Sequence, residues 1–422
     1  MSWITDGKEF FFMRICMLCY RSNPYSGGQG VYLKYVAEEL ARQGHEVHAI
    51  MGPPYVKLTG GVIVHRIPND EYYIKKGLRI IDKKNPFGIL SPLKFYEYFS
   101  SRFGVFPEIH SFGYRAFALL RKLNKQYHFD IVHDNQSLGY GLLLVKSLGV
   151  PVISTIHHPL SIDLENQVRR AVKFIKKLKV AMFYPVKMQS FVSKRMDHVI
   201  TVSLDSRKLI NKYFRVPLDK QTVVYNGIDR KIFKPVKSIR KKRGNLIFVS
   251  NTEDINKGFI FLLKALSIIK KSGRDDINLT VIDGVLSGRK FTDEMIEKFN
   301  VVDMITFAGK VPNEDLAKYY CRAEIAVVPS VHEGFGFPAA EAMSCGVPVI
   351  ASRGGALPEV VGDAGILVPL FDSEALANAI CSLSGDEKKL KEMSRSGIER
   401  VETLFKWEKA VSEILEVYKR FV

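Results

Sequence analysis

From about residue 13 to the C-terminus, short apolar runs of strand length alternate with longer amphipathic stretches of helical period. That alternation commits a chain to βαβ units, because two parallel neighbouring strands need a crossover long enough to hold a helix. Strands are expected at residues 13–19, 46–51, 63–67, 130–133, 152–156, 199–202 and 222–224, with a first helix over 31–43 closed by Gly44. The pattern breaks at 231–243, KIFKPVKSIRKKR, whose proline and lysines read as a solvated linker. It then restarts, with strands at 245–250, 278–282, 305–307, 325–328 and 347–351 and helices at 259–271, 314–321 and 338–345. For 422 residues the expectation is α/β: two Rossmann-like, doubly wound parallel-sheet domains facing a cleft. The boundary is placed between residues 235 and 236.

No apolar run approaches the ~18 residues of a membrane span. The first twelve residues, MSWITDGKEFFF, lack the basic start and small-residue cleavage site of a secretory signal, and read as an extension before the first strand. Five cysteines in this length make no disulfide framework. Cys16 and Cys19 stand at an odd offset in one strand, so they face opposite sides and read as core. The expected compartment is the cytoplasm.

Charge is the one compositional anomaly. Lys and Arg number 62 against 44 Asp and Glu, a net +18. Residues 1–250 hold 41 basic and 18 acidic side chains, whereas residues 251–422 hold 21 and 26. A basic half joined to a slightly acidic one points to a polyanionic partner for the first half, either nucleic acid or anionic lipid. In residues 168–186, VRRAVKFIKKLKVAMFYPV, apolar residues gather near one helical face while Arg169, Arg170, Lys173, Lys176 and Lys177 crowd elsewhere. This is the composition of a helix lying in an anionic bilayer surface. A core-packed helix with a solvated lysine face fits it equally. KKGLRIIDKK, at 75–84, is a second basic-apolar stretch.

The most informative segment is 327–346, VVPSVHEGFGFPAAEAMSCG. A buried strand ends at Pro329, a loop holds Gly334 and Gly336, and Pro338 sits in the first turn of a helix that Gly346 ends. This loop leaves the carboxyl end of a parallel strand and feeds a helix N-terminus, where open α/β sheets bind ligands and where free N–H groups suit a phosphate. Glu333 and Glu341 flank it. Beside an anion they are better placed to accept hydrogen bonds from sugar hydroxyls than to touch phosphate. A helix N-terminal acid and a surface acid remain the plain alternative.

The segment resembles the Glu-x7-Glu signature of retaining family-4 glycosyltransferases of the GT-B fold, and the resemblance runs over nearly the whole chain. Gly346-Val-Pro-Val-Ile-Ala-Ser352 and Gly354-Gly-Ala-Leu-Pro-Glu359 follow it, and Ser26-Gly27-Gly28, Gly44-His-Glu-Val47, Thr201-Val-Ser203, Asn226-Gly-Ile-Asp229 and Lys257-Gly258 fall in the family's order. The resemblance implies a nucleoside diphosphate sugar held mostly by the second domain. Glu341 would bind the ribose. Glu333 and the N–H groups of Phe335, Gly336 and Phe337 would hold the sugar and distal phosphate, with Lys257 offsetting charge and Gly27 and Gly28 approaching the diphosphate. The family's usual arginine before the lysine is replaced by Asn251, which can donate hydrogen bonds but carries no charge. Lys310 is the other cation in range of that role, with a solvated loop lysine as the plain reading. The final helix, over 405–422, resembles the family's terminal helix, which crosses back to the first domain.

In VISTIHHP, at 152–159, His157 and His158 end a strand. The resemblance implies that His157 contacts the donor sugar near the reacting centre. Adjacent histidines share no face and no third ligand stands at suitable spacing, so no metal is expected. Asn135, Gln136, His158 and Asp163 occupy similar strand-end positions and can touch an acceptor or cap helices. The implied activity is a retaining, metal-independent hexosyltransferase with a nucleotide sugar as co-substrate and no cofactor. A lipid-linked or cell-envelope acceptor, reached from the cytoplasmic face of the membrane, follows if the basic helix binds lipid. The rivals are the same chemistry on a soluble acceptor, as in sucrose or glycogen synthases, a nucleotide-sugar epimerase on the same fold, and a basic nucleic-acid binder. The last explains the charge but neither the two acids nor the glycine loops, and its basic stretches lack interleaved aromatic stacking platforms.

Overall fold

A computed structural model describes residues 2–5, 8–23, 28–68, 91–102, 107–170, 185–284 and 289–422. The chain divides into two units. The first comprises Met1–Val202, Ser206–Val224 and Val411–Val422, and the second Ser203–Asp205 and Tyr225–Ala410. The division falls after Val224, earlier than the linker composition suggests, because residues 225–235 are tied to second-unit partners. The Ile228 N–H donates to the Phe405 carbonyl, and the Phe233 carbonyl accepts from Ser344 Oγ.

The opening residues are not a plain extension. Strand β1 (Ser2–Thr5) pairs antiparallel with β2 (Lys8–Phe11). Then β3 (Arg14–Cys19), β4 (Glu46–Met51), β5 (Ile63–Arg66), β6 (Ile131–Asn135), β7 (Val152–Ile156), β8 (His198–Thr201) and β9 (Gln221–Val223) form one parallel sheet in the order β5-β4-β3-β6-β7-β8-β9. β6 and β7 are buried along their whole length, as parallel strands covered on both faces must be. Cys16, Leu18, Ile109, Phe112, Leu120 and Val132 share one core, and Cys16 and Cys19 are buried free thiols. The last helix, Trp407–Tyr418, ends with Ile414, Val417 and Tyr418 buried.

In the second unit β10 (Asn245–Val249), β11 (Asn278–Ile282), β12 (Ile305–Phe307), β13 (Ile325–Val328), β14 (Val349–Ser352) and β15 (Ile366–Val368) form a parallel sheet in the order β12-β11-β10-β13-β14-β15. Leu246, Phe248, Leu262, Leu266, Val281 and Val327 fill its core. In both sheets the strand order reverses beside the first long strand, between β3 and β6 and between β10 and β13. Loops diverge there at the carboxyl ends and leave a crevice.

The stretch at 231–243 is not a free linker. Its side chains are largely exposed, but the Lys242 N–H donates to the Arg322 carbonyl, Lys241 Nζ reaches the Gly346 carbonyl at 2.8 Å, and the Lys234 carbonyl accepts from Cys321 Sγ. Gly27, the stretch at 75–84, and Lys173, Lys176 and Lys177 lie outside the described residues. Arg169 and Arg170 end the helix Ser161–Arg170. Among the described residues no helix is long and apolar enough to cross a membrane.

Candidate active site

In the second unit the loops after β10 and β13 meet at the strand-order reversal. Lys257 ends the first of these loops, and its Nζ lies 2.9 Å and 3.1 Å from the two carboxylate oxygens of Glu333 in the second. Ser330 Oγ donates to Glu333 Oε1 at 2.8 Å. Backbone contact fixes this pairing. The Val331 N–H donates to the Asn256 carbonyl at 2.7 Å, and a Cβ on Gly258, whose φ is +68°, would lie 1.9 Å from the Pro329 carbonyl oxygen. Only glycine lets the Lys257 turn approach that closely. From the other side Gly354 presses on the Ser330 carbonyl, where a Cβ would lie 2.1 Å away, and the Ala356 N–H donates to the Glu333 carbonyl at 2.9 Å. Thr252 is held through its N–H and hydroxyl on Asp283, at the end of β11.

The helix Phe337–Ser344 starts at this junction, with Gly336 as its N-cap at φ 103° and Pro338 in its first turn. The N–H groups of Phe335, Gly336 and Phe337 donate no hydrogen bond among the described residues, the arrangement an anion needs. Glu341 projects from the next turn and accepts from Tyr320 Oη at 3.1 Å. Burial pushes its carboxyl up to about 7. The two acids thus have different partners: Glu333 is held by a cation and a serine, Glu341 by a phenol. Asn251 is exposed and turns its Oδ1 back onto the Glu253 N–H at 2.9 Å, so the loop's own turn occupies its oxygen. Lys310 is likewise exposed.

In the first unit the carboxyl ends of β6 and β7 carry a connected polar network. Asn135 Nδ2 donates to the Gln29 carbonyl at 2.8 Å, which fixes the amide so that Oδ1 faces His157 Nε2 at 2.8 Å. The imidazole must then carry its proton on Nε2, leaving a lone pair on Nδ1. Loss of solvation holds the His157 pKa down at about 3, so the ring is neutral. Gln136, at φ 53°, accepts from the His157 N–H and donates to the His158 carbonyl, both at 2.7 Å, and so clamps the His-His turn from the neighbouring loop. His158 Nε2 lies 3.0 Å from Asp163 Oδ2 in the first turn of Ser161–Arg170. His133 bridges the Tyr418 hydroxyl and Thr155 Oγ1, and Tyr32 Oη also meets Thr155, at 2.8 Å. Gly28, at φ 71°, caps the helix Gln29–Arg42.

Sequence reasoning missed Ser330, Tyr320, Tyr32, Thr155 and Tyr418. Ser330 stood inside the informative segment. The other four reach their partners through tertiary packing that no local pattern encodes. Among the described residues no cluster of three or more His, Cys, Asp or Glu could hold a metal ion.

Known proteins resemble this chain along nearly its whole length. Residues 26–231 match the family model described as Glycosyltransferase Family 4, and residues 229–400 the model described as Glycosyl transferases group 1. The MMP alpha-(1->4)-mannosyltransferase of Mycolicibacterium hassiacum is 32% identical over 414 residues, covering 97% of this chain and 98% of that one. A D-inositol 3-phosphate glycosyltransferase of Paenarthrobacter aurescens is 25% identical, covering 94% of each. Among solved structures, sucrose-phosphate synthase from Thermosynechococcus elongatus superposes with a TM-score of 0.70 at 22% identity, over 96% of this chain and 98% of that one. Anabaena HepE in complex with UDP and glucose gives 0.68 at 18%, over 97% and 100%. The two structures share the GT-B fold with this chain.

Proposed function

Since the chain belongs to the family-4, group 1 glycosyltransferases and is a glycosyltransferase of GT-B fold, we propose that its second unit binds a nucleoside diphosphate hexose and that the hexosyl group leaves with its anomeric configuration retained, without a metal. The observation that carries this reading is the junction of Lys257, Glu333 and the start of Phe337–Ser344. One buried-edge cation and a set of uncommitted N–H groups converge there on a single crevice. These are the groups that stabilise a departing diphosphate.

In this reading Lys257 and the N–H groups of Phe335, Gly336 and Phe337 take the negative charge that builds on the diphosphate as the bond to the anomeric carbon breaks. Glu333 holds the Lys257 ammonium in place and offers its remaining lone pairs to a sugar hydroxyl. Glu341 accepts from ribose hydroxyls. His157 presents the Nδ1 lone pair to a hydroxyl of the transferred sugar and, being neutral, works by positioning and not by proton transfer. The acceptor oxygen bonds to the anomeric carbon on the face the diphosphate leaves, and its proton passes to the departing phosphate oxygen. Asn135 and Gln136 orient His157, while the His158–Asp163 pair is assigned to the acceptor side.

The mannosyltransferase relative makes mannose the first sugar to test. A second reading, a lipid-linked or cell-envelope acceptor at the cytoplasmic membrane face, is favoured by the +23 charge of residues 1–250. The deciding assay offers UDP-, GDP- and ADP-hexoses with soluble glycans or with glycolipid-bearing vesicles, and follows nucleoside diphosphate release and product anomer by NMR. Nucleoside diphosphate release that depends on an acceptor, with a retained anomer, is expected. Conversion of free sugar nucleotide without acceptor would replace this reading with epimerisation.

A further inference from the structure

The basic stretch at 231–243 is not used by the donor site, yet it builds a second feature of the same unit. With the starts of β10 and β11 and the end of the helix Asn313–Arg322, it lines an open depression of about 500 Å³, within the ~300–1,000 Å³ range of small-molecule sites. Arg240, Lys242 and Arg322 project into it beside Ser238, Asn278 and Thr306, and no acidic side chain lines it. None of the three cations forms an ion pair among the described residues. Two acids that neighbour the lining residues in sequence have other partners: Asp276 binds Arg274 at 2.7 Å and 2.9 Å, and Glu324 accepts from the Gly244 N–H and Ser384 Oγ. Three cations without an ion pair therefore line one depression, with the Arg322 guanidinium over the Tyr319 ring at 5.9 Å. All three are exposed, so an anion entering from solvent can reach them.

The geometry points to a binding site for a phosphomonoester anion at this depression. Two guanidinium groups offer forked donors to phosphate oxygens, Lys242 adds a point charge, and the flanking hydroxyl and amide groups suit the hydroxyls of a phosphorylated sugar or polyol. It is not the donor site. Asn245 and Asn278 open their strands, whereas Lys257 and Glu333 follow the opposite strand ends, about 16 Å away along a five-residue strand.

This site is independent of the proposed reaction, and its test uses the Lys257→Ala protein so that anions at the donor site do not contribute. Glucose 6-phosphate and glucose are titrated calorimetrically, and vesicles of phosphatidylcholine with or without phosphatidic acid are co-sedimented. Both anionic probes carry a phosphomonoester, one free and one as a lipid headgroup. Saturable binding of glucose 6-phosphate but not glucose is expected, weakened by about tenfold or more in Arg240→Gln/Arg322→Gln. Lys242→Gln gives a smaller loss, and unfolding midpoints unchanged from the parent exclude misfolding. Binding of phosphatidic acid vesicles alone, lost in the same double variant, assigns the headgroup as the source. No binding of either probe at ~10 mM phosphate, or binding that the double variant leaves intact, overturns the site.

Discussion

Lys257 and Glu333 depend on each other in a way that separates their mutational effects. The lysine makes two side-chain hydrogen bonds to one carboxylate, which Ser330 also holds. Lys257→Ala removes the cation nearest the proposed diphosphate and leaves Glu333 facing it uncompensated. Charge-assisted bonds contribute about 1.5–3 kcal/mol each, so kcat/KM is expected to fall by at least ~10²-fold. Wild-type turnover in that variant would remove the donor-site assignment. Glu341 gives a pH test. Its carboxyl is raised to about 7 by burial, and ribose hydroxyls donate best to the ionised form. The donor KM is expected to fall as pH rises from 6 to 8, and Glu341→Gln to flatten that dependence. Linkage sets the matching sign for stability. With the folded value raised, the group's contribution is fully present below the ordinary carboxylate pKa and is lost as pH rises through about 7. The Tm difference between wild type and Glu341→Gln, followed across that window, should move in that direction.

At the level of elements, two tight turns set the site. Gly258 combines a positive φ with a contact that no side chain can occupy, whereas a Cβ placed on Gly273, at φ +78°, would meet nothing within 4 Å. Comparing the two alanine variants separates clash from backbone strain. Gly273→Ala should cost about 1 kcal/mol, while Gly258→Ala should cost at least ~3 kcal/mol and lower kcat with it, because Lys257 is displaced. Equal denaturant midpoints for the two would contradict the close approach. The same turns show what was legible beforehand. Lys257-Gly258 and the Gly354-Gly355 pair stood out in the sequence as motifs, but which backbone they approach is a tertiary fact. A strand buried on both faces, such as β13 with its sequence IAVV, announces itself as a continuous apolar run. β1, β2 and β15, of four, four and three residues, were not expected, although β9 and β12, equally short, were. The 231–243 stretch misled because its side chains are solvated while its backbone is tied down, and composition reports only the first.

On the scale of the molecule, both sheets repeat one strand order, and the crevices at their reversals hold the two sets of chemistry-bearing residues. Strand alternation foretold that much. The use of the last twelve residues did not follow from local pattern; the resemblance of the final helix to the family's terminal helix implied it, and Val411–Val422 belong to the first unit. Val411, Ile414, Val417 and Tyr418 are buried, and the Tyr418 hydroxyl meets His133 in the centre of the first unit. Four buried side chains at about 1.5–3 kcal/mol each approach the whole stability of a domain. Truncation after Ala410 is therefore expected to unfold the first unit, read as loss of near-ultraviolet circular dichroism, and a folded truncated protein would contradict the packing. The central claim is a diphosphate held at the start of Phe337–Ser344 by Lys257. Calorimetric titration of UDP-, GDP- and ADP-hexoses into wild-type and Lys257→Ala protein tests this most directly. At least one should bind the wild type with micromolar affinity and the variant ~10²-fold more weakly. Failure of all three to bind, or equal affinity for both proteins, would contradict it.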